Sequence, residues 1–250
     1  MTRIFGHRGS SGEAPENTLA AFRKALEAGA DGVELDLHGS RDGYPVVIHD
    51  PTLDRTTNGN GTVAEAPLEE LRKLDAGAWF ASEFVGERLP EFGEVLEMFR
   101  PTTATLCVEL KTGEPVVPGW LERALQMIQG AAMDTRVILS SFNVETMGEI
   151  RRGAPQLTCA LLVRSETAQP WLEAERLGMQ GLHPPAAICD ERLMRECRTR
   201  DLAVRPFTVN TEKEAARLFA LGVEAIITDV PAKLLAARKA WLKTHRPAGG

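Results

Sequence analysis

Glu34-Leu35-Asp36 sets two carboxylates one residue apart in a run of strand-forming residues. In a strand, positions i and i+2 share a face, so the two acids project together and repel unless a cation stands between them. Glu109-Leu110-Lys111 repeats the spacing with a carboxylate and an ammonium. Three carboxylates without a Cys cluster or a His-x-His motif suit one hard, oxygen-preferring divalent ion, Mg²⁺ or Ca²⁺, rather than zinc. The same spacing also fits acids facing solvent from an edge strand, with Val33, Leu35 and Leu37 turned inward. His7 and His49 each follow an apolar strand and stand beside a charged residue, Arg8 or Asp50. Imidazole titrates near neutrality and suits proton transfer in phosphoryl chemistry, although a histidine serves as readily as a structural hydrogen-bonding group. His38 lies on the Glu34/Asp36 face and is a candidate fourth ligand; the turn that follows it favours a structural role. Arg8 and Lys111 add fixed positive charge of the kind that holds a phosphate. Gly6-His7-Arg8-Gly9 could bring backbone amides to a phosphate, but no Walker loop or GxGxxG fingerprint is present.

These residues fall where strands end. Arg3–Phe5, Gly32–Leu37, Pro45–Ile48, Ala104–Leu110, Arg136–Leu139, Leu157–Val163, Gly181-Leu182, Ala203–Phe207 and Ala225–Ile227 read as strands. Helices are expected over 17–28, 118–132, 167–177, 190–199, 211–221 and 231–243, with Asn143 as the N-cap of another. Repeated βα alternation implies parallel strands joined by right-handed crossovers, in a barrel or an open sheet. Polar residues at the C-terminal ends of such strands line active sites: His7 and Arg8, Glu34 and Asp36, His49 and Asp50, Glu109 and Lys111, Ser140-Ser141, His183, Thr208–Asn210 and Asp229. Residues 50–89 break the rhythm, with turn residues and one short helix near Leu68–Leu74. We read them as an insertion at the mouth, within a single domain spanning 1–250.

Dividing 250 residues by eight gives about 31, the length of one strand-helix unit of a (β/α)8 barrel. A net charge of -6 argues against a nucleic-acid partner. No apolar run is long enough for stable membrane insertion, and the polar start is unlike a secretory signal, so a cytoplasmic location is expected. Cys107, Cys159, Cys189 and Cys197 lack CxxC spacing and are expected as free, buried thiols. Nothing in the sequence sets an oligomeric state.

The residues in order, His7-Arg8-Gly9, Pro15-Glu16-Asn17-Thr18, Glu34-x-Asp36, Asp42-Gly43, His49-Asp50, Asp54-Arg55-Thr56-Thr57-Asn58-Gly59, Glu109-x-Lys111, Ser140-Ser141-Phe142, Thr208-Val209-Asn210 and Thr228-Asp229, resemble the glycerophosphodiester phosphodiesterases across nearly the whole chain. The resemblance implies a TIM (β/α)8 barrel with a small insertion after the second strand. It implies metal-dependent hydrolysis of a small glycerophosphodiester to glycerol 3-phosphate and an alcohol. Glu34, Asp36 and Glu109 would bind one divalent ion, His7 and His49 would act as general acid and base, and Arg8 and Lys111 would hold the phosphate. Where members of the family often carry Trp before Thr-Val-Asn, this chain has Phe207, which keeps an aromatic wall for substrate but lacks the indole N–H. His183 stands where members vary. Lysophospholipid cleavage is the enzymatic alternative, and a catalytically inactive binding barrel the non-enzymatic one.

Overall fold

The computed structural model describes residues 1–113 and 116–245. The sequence leads us to expect a frayed tail from His245 to Gly250, and beyond His245 that tail lies outside the described residues. The strands are β1 (Arg3–His7), β2 (Gly32–Gly39), β3 (Pro45–Val47), β4 (Thr105–Leu110), β5 (Val137–Ser141), β6 (Thr158–Leu162), β7 (Gly181–His183), β8 (Ala203–Val204) and β9 (Ala225–Thr228). The α-helices are α1 (Leu19–Glu27), α2 (Leu68–Leu71), α3 (Phe92–Phe99), α4 (Trp120–Gly130) and α5 (Val144–Gly153). They continue with α6 (Pro170–Arg176), α7 (Glu191–Arg198), α8 (Glu212–Leu221) and α9 (Pro231–Thr244).

Eight parallel strands run in the order β8-β7-β6-β5-β4-β2-β1-β9. The ring closes between β8 and β9, where Glu224 N donates to Val204 O at 2.9 Å and Ile227 N to Pro206 O at 3.0 Å. The alternatives of barrel and open sheet thus resolve as a barrel. The period-2 alternation of the strands divides the core in two. Phe5, Cys107, Ile138, Ala160, Ala225 and Ile227 fill the interior. Ile4, Val33, Leu35, Leu106, Val108 and Leu139 point outward beneath the helices.

The ninth strand, β3, pairs antiparallel with β2 as a hairpin arm, Leu37 opposite Val47. Beyond it the inserted segment packs a small apolar cluster of its own, with Val46, Ile48, Leu53, Val63, Leu68, Leu71, Ala76 and Leu89. Two elements differ from the sequence reading. Helix α3, which carries the chain from the insertion back to β4, was not expected; it is secured by a reciprocal capping box between Glu91 and Glu94. Strand β8 is only two residues long, because Pro206 has no N–H to give and the chain continues with one isolated bridge, Phe207 beside Pro185.

The loop leaving β1 folds back tightly on α1. A Cβ on Gly6 would lie 2.6 Å from Gly9 O, and Gly9, at φ +88°, would put one 2.6 Å from the Ala21 carbonyl carbon. These glycines therefore serve close backbone approach, not phosphate contact; the Gly9 amide donates to Gly6 O and the Arg8 amide to Glu34. Gly9→Ala combines a left-handed backbone with a backbone clash, so we expect it to cost about 2 kcal/mol or more in denaturant unfolding. An unchanged midpoint would mean that the loop shifts freely.

Candidate active site

Register, more than sequence proximity, assembles the site. In the parallel ladder His7 lies beside Glu34 and Asp36 beside Glu109, so the inward side chains at the carboxyl ends of β1, β2 and β4 meet at one level. Carboxylate oxygens of Glu34, Asp36 and Glu109 lie within 4.8 Å of one another, and all three residues are buried. Strand β2 is central, flanked by β1 and β4, which excludes the solvent-facing edge-strand reading of Glu34 and Asp36.

Burial and the neighbouring Asp36 charge push Glu34 above the ordinary carboxylate range, and the same two causes act on Glu109. Burial would raise Asp36 too, but the Lys111 and Arg8 cations hold it low. Lys111 Nζ donates to Glu109 Oε1 at 2.7 Å and sits 3.0 Å from Asp36 Oδ1. Arg8 Nε approaches Asp36 Oδ2 to 3.3 Å without hydrogen-bond alignment. Two fixed cations face three converging carboxylates. A hard dication among them would convert mutual repulsion into shared attraction, and an all-oxygen donor set is what such an ion takes. The residues fit one.

Both histidines that the sequence singled out are held through Nδ1 by a carboxylate. His7 Nδ1 donates to Asp229 Oδ1 at 2.6 Å, and its Nε2 is 4.0 Å from Glu34 Oε2. His49 Nδ1 donates to Asp50 Oδ1 at 2.6 Å. A carboxylate on one ring nitrogen fixes tautomer and ring orientation and leaves Nε2 for proton transfer. The environments pull the two rings apart: burial disfavours charge on both, yet Asp229 and Glu34 raise His7, whereas for His49 burial prevails with help from Lys111 and Arg8. His38 does not join the carboxylates; its Nε2 donates to the His49 backbone carbonyl at 3.0 Å and steadies that segment.

Several partners in this arrangement had no role assigned from sequence. Asp229, at the end of β9, also accepts from Ser11 Oγ at 2.9 Å and Asn210 Nδ2 at 2.5 Å. Asn17 Nδ2 donates to Asp36 Oδ2 at 2.8 Å, and Glu16 Oε1 accepts from Arg8 Nη1 at 2.8 Å. Arg8 and Asn17 both have φ in the left-handed region, +52° and +57°, a conformation that non-glycine residues adopt where the surroundings impose it. The available signal was Asp229 at a strand end, since β9 and β1 become neighbours when a barrel closes.

Phe207 lies partly buried on the inner wall, edge-on to Phe142 with ring centroids 6.4 Å apart. His183 is buried inside the barrel rather than at its mouth, Nδ1 3.8 Å from Cys107 Sγ and Nε2 3.4 Å from Arg205 Nη1. Burial and the Arg205 charge keep it neutral. All four cysteines are free and buried. A cleft of about 640 Å³ opens from Glu109 and Lys111 between Trp120, Leu121, Val117 and Phe142. Among the described residues no helix is long and apolar enough to cross a membrane.

Known proteins give this geometry a context. A glycerophosphodiester phosphodiesterase of Caldanaerobacter subterraneus subsp. tengcongensis is 40% identical over 234 residues, covering 94% of this chain and 96% of that protein. One from Bacillus altitudinis is 35% identical, covering 96% of this chain and 99% of its own. The structure of a phosphodiesterase of Oleispira antarctica in complex with the product sn-glycerol-3-phosphate superposes with a TM-score of 0.90 at 32% identity, covering 96% of this chain and 97% of that one. Residues 7–233 match the sequence profile of the glycerophosphoryl diester phosphodiesterase family. With the barrel and its acidic mouth in place and the match spanning the strands that carry both, the chain belongs to that family.

Proposed function

We propose that this enzyme hydrolyses small glycerophosphodiesters to glycerol 3-phosphate and an alcohol, with His7 and His49 as the proton-transfer pair and Glu34, Asp36 and Glu109 as ligands of one divalent ion. The observation that carries the reading is the convergence of three buried carboxylates at the barrel mouth, together with two strand-end histidines that are each oriented by a further carboxylate. When bound, a Mg²⁺ or Ca²⁺ ion supplies Lewis acidity to a phosphoryl oxygen and offsets the charge of the diester.

The chain's own groups do the rest. Arg8 and Lys111 face the same level of the mouth and complement the phosphate anion, with Arg8 steadied by Glu16. One imidazole Nε2 takes a proton from the attacking hydroxyl: either water, which gives glycerol 3-phosphate directly, or the free glycerol hydroxyl next to the phosphate, which gives a cyclic phosphodiester that water then opens to glycerol 3-phosphate. The other returns a proton to the departing alcohol oxygen. Asp229 and Asp50 stabilise whichever ring is cationic at each stage, because each accepts from Nδ1. The cleft beside Glu109 and Lys111 offers space for the alcohol. Its apolar wall, Val117, Trp120, Leu121 and Phe142, favours lysophospholipid as a second substrate class. Parallel turnover of glycerophosphocholine and lysophosphatidylcholine compares the two.

The decisive experiment is exhaustive chelation followed by titration with single divalent ions. Activity on glycerophosphocholine is expected to vanish on chelation and return with Mg²⁺ or Ca²⁺. Full turnover in protein shown by elemental analysis to be free of metal would overturn the metal assignment.

A further inference from the structure

The inserted segment sends one side chain back to the mouth. Arg55 follows β3 by a few residues, in a loop closed by Leu53 N donating to Gly61 O at 2.9 Å and braced by the buried Thr57, whose hydroxyl donates to Leu53 O at 2.7 Å. Leu53 itself is seated in the insertion's apolar cluster. From this anchored base the Arg55 guanidinium grips two carboxylates at once. Its Nε and Nη2 donate to Asp50 at 2.6 and 3.0 Å, and its Nη1 and Nη2 donate to Glu16, both at 2.8 Å.

Those two carboxylates are the ones that hold His49 and Arg8. Asp50 Oδ1 accepts from His49 Nδ1, and Glu16 Oε1 accepts from Arg8 Nη1. We propose that Arg55 is a positioning residue: by clamping Asp50 and Glu16 together it fixes, from the insertion, the orientation of the His49 ring on one side and of the Arg8 guanidinium on the other. This rests on the acid–base and phosphate-binding roles given above to His49 and Arg8. Arg55 itself touches neither the carboxylate triad nor those two side chains among the contacts of the described residues.

The physical case is one of geometry. Asp50 is tethered to the chain next to the residue it orients, so a free Asp50 side chain would swing with the loop and let the imidazole turn. A planar guanidinium bonded through both edges restricts two carboxylates in one plane, which an ammonium cannot do. Both carboxyls are also held ionised. Arg55 is the largest influence on Asp50, and on Glu16 it outweighs, with Arg8, the opposing effect of burial. Arg55 is exposed along much of its length, with 45% of its side-chain surface accessible, and exposed ion pairs contribute little to stability. Its removal should therefore be felt in turnover rather than in folding.

The test uses the full-length, metal-loaded enzyme and glycerophosphocholine. Arg55→Ala is expected to lower kcat/KM about 10- to 100-fold, the usual range for a partner that orients a reacting group, with Tm changed by no more than about 4 °C. Arg55→Lys should recover only a minor part of the loss, since charge without the fork cannot span both carboxylates. In a His49→Ala background the same Arg55→Ala substitution should cost severalfold less, because one of the two groups it positions is gone. Wild-type kcat/KM in Arg55→Ala, full recovery with Lys, or an equal loss in both backgrounds would each overturn the proposal. If His49→Ala alone turns over at the wild-type rate, it is the acid–base reading of His49 that falls, and the single Arg55 variants still report on Arg55.

Discussion

Glu34→Gln is expected to leave the metal-free protein at least as stable as the wild type while lowering turnover about 10²-fold or more. The two effects have opposite causes. In the folded protein, burial and the Asp36 charge both disfavour ionised Glu34. A glutamine of the same shape removes that repulsion and can still accept the Arg8 amide, which now donates to Glu34 Oε2 at 3.0 Å. What it cannot do is give an ion an anionic oxygen. Weakened binding of Mg²⁺ or Ca²⁺ by calorimetry, together with an unchanged or raised Tm in the presence of chelator, is the signature of a ligand rather than of a structural acid. The sign with pH follows from the same shift. A carboxyl raised in the folded state binds its proton more tightly there than in the unfolded chain. The metal-free protein therefore loses stability as pH rises from the ordinary glutamate range up through the raised value. Glu34→Gln should flatten part of that slope, with the remainder belonging to Glu109, which is shifted in the same direction. A collapsed Tm with undiminished metal affinity would reverse the assignment.

The reactive groups were legible in the sequence to the extent that they obey local rules. Glu34 and Asp36 announce a shared face because strand periodicity is exact over two residues, and Asn143 caps α5 as its position implied, accepting from Thr146 N at 3.1 Å. The Asp229–His7 pair was not legible, because 222 positions separate its members and only closure of β9 against β1 joins them. The same holds for Arg55 and Glu16, which are 39 positions apart. Glu16 and Asn17 stood in plain view beside a proline. Their function depends on Asn17 and Arg8 taking left-handed backbone conformations, which no composition or period encodes. Helix α3 was hidden for a different reason. It follows a long insertion whose turn residues mask the βα rhythm, although its own apolar residues, Phe92, Val95, Leu96 and Phe99, recur at helical spacing and are all buried.

The second large effect concerns the histidines, and it can divide their labour. His7→Ala and His49→Ala should each lower kcat on glycerophosphocholine by about 10² to 10⁴, the range of general acid–base contributions, with the fold intact because both side chains lie at the partly exposed mouth. A choline oxygen is a poor leaving group and needs a proton as it departs; a nitrophenolate oxygen does not. On a glycerol p-nitrophenyl phosphodiester, the variant lacking the acid should regain most of its rate, while the variant lacking the base stays slow, because the attacking hydroxyl must still lose its proton. Asp229→Asn and Asp50→Asn should follow the histidine each supports, with smaller losses, since each keeps a side chain at the Nδ1 position but removes the charge that steadies the imidazolium. Equal behaviour of His7→Ala and His49→Ala on both diesters would deny a divided acid and base. A near-wild-type rate in either would remove that residue from the reaction.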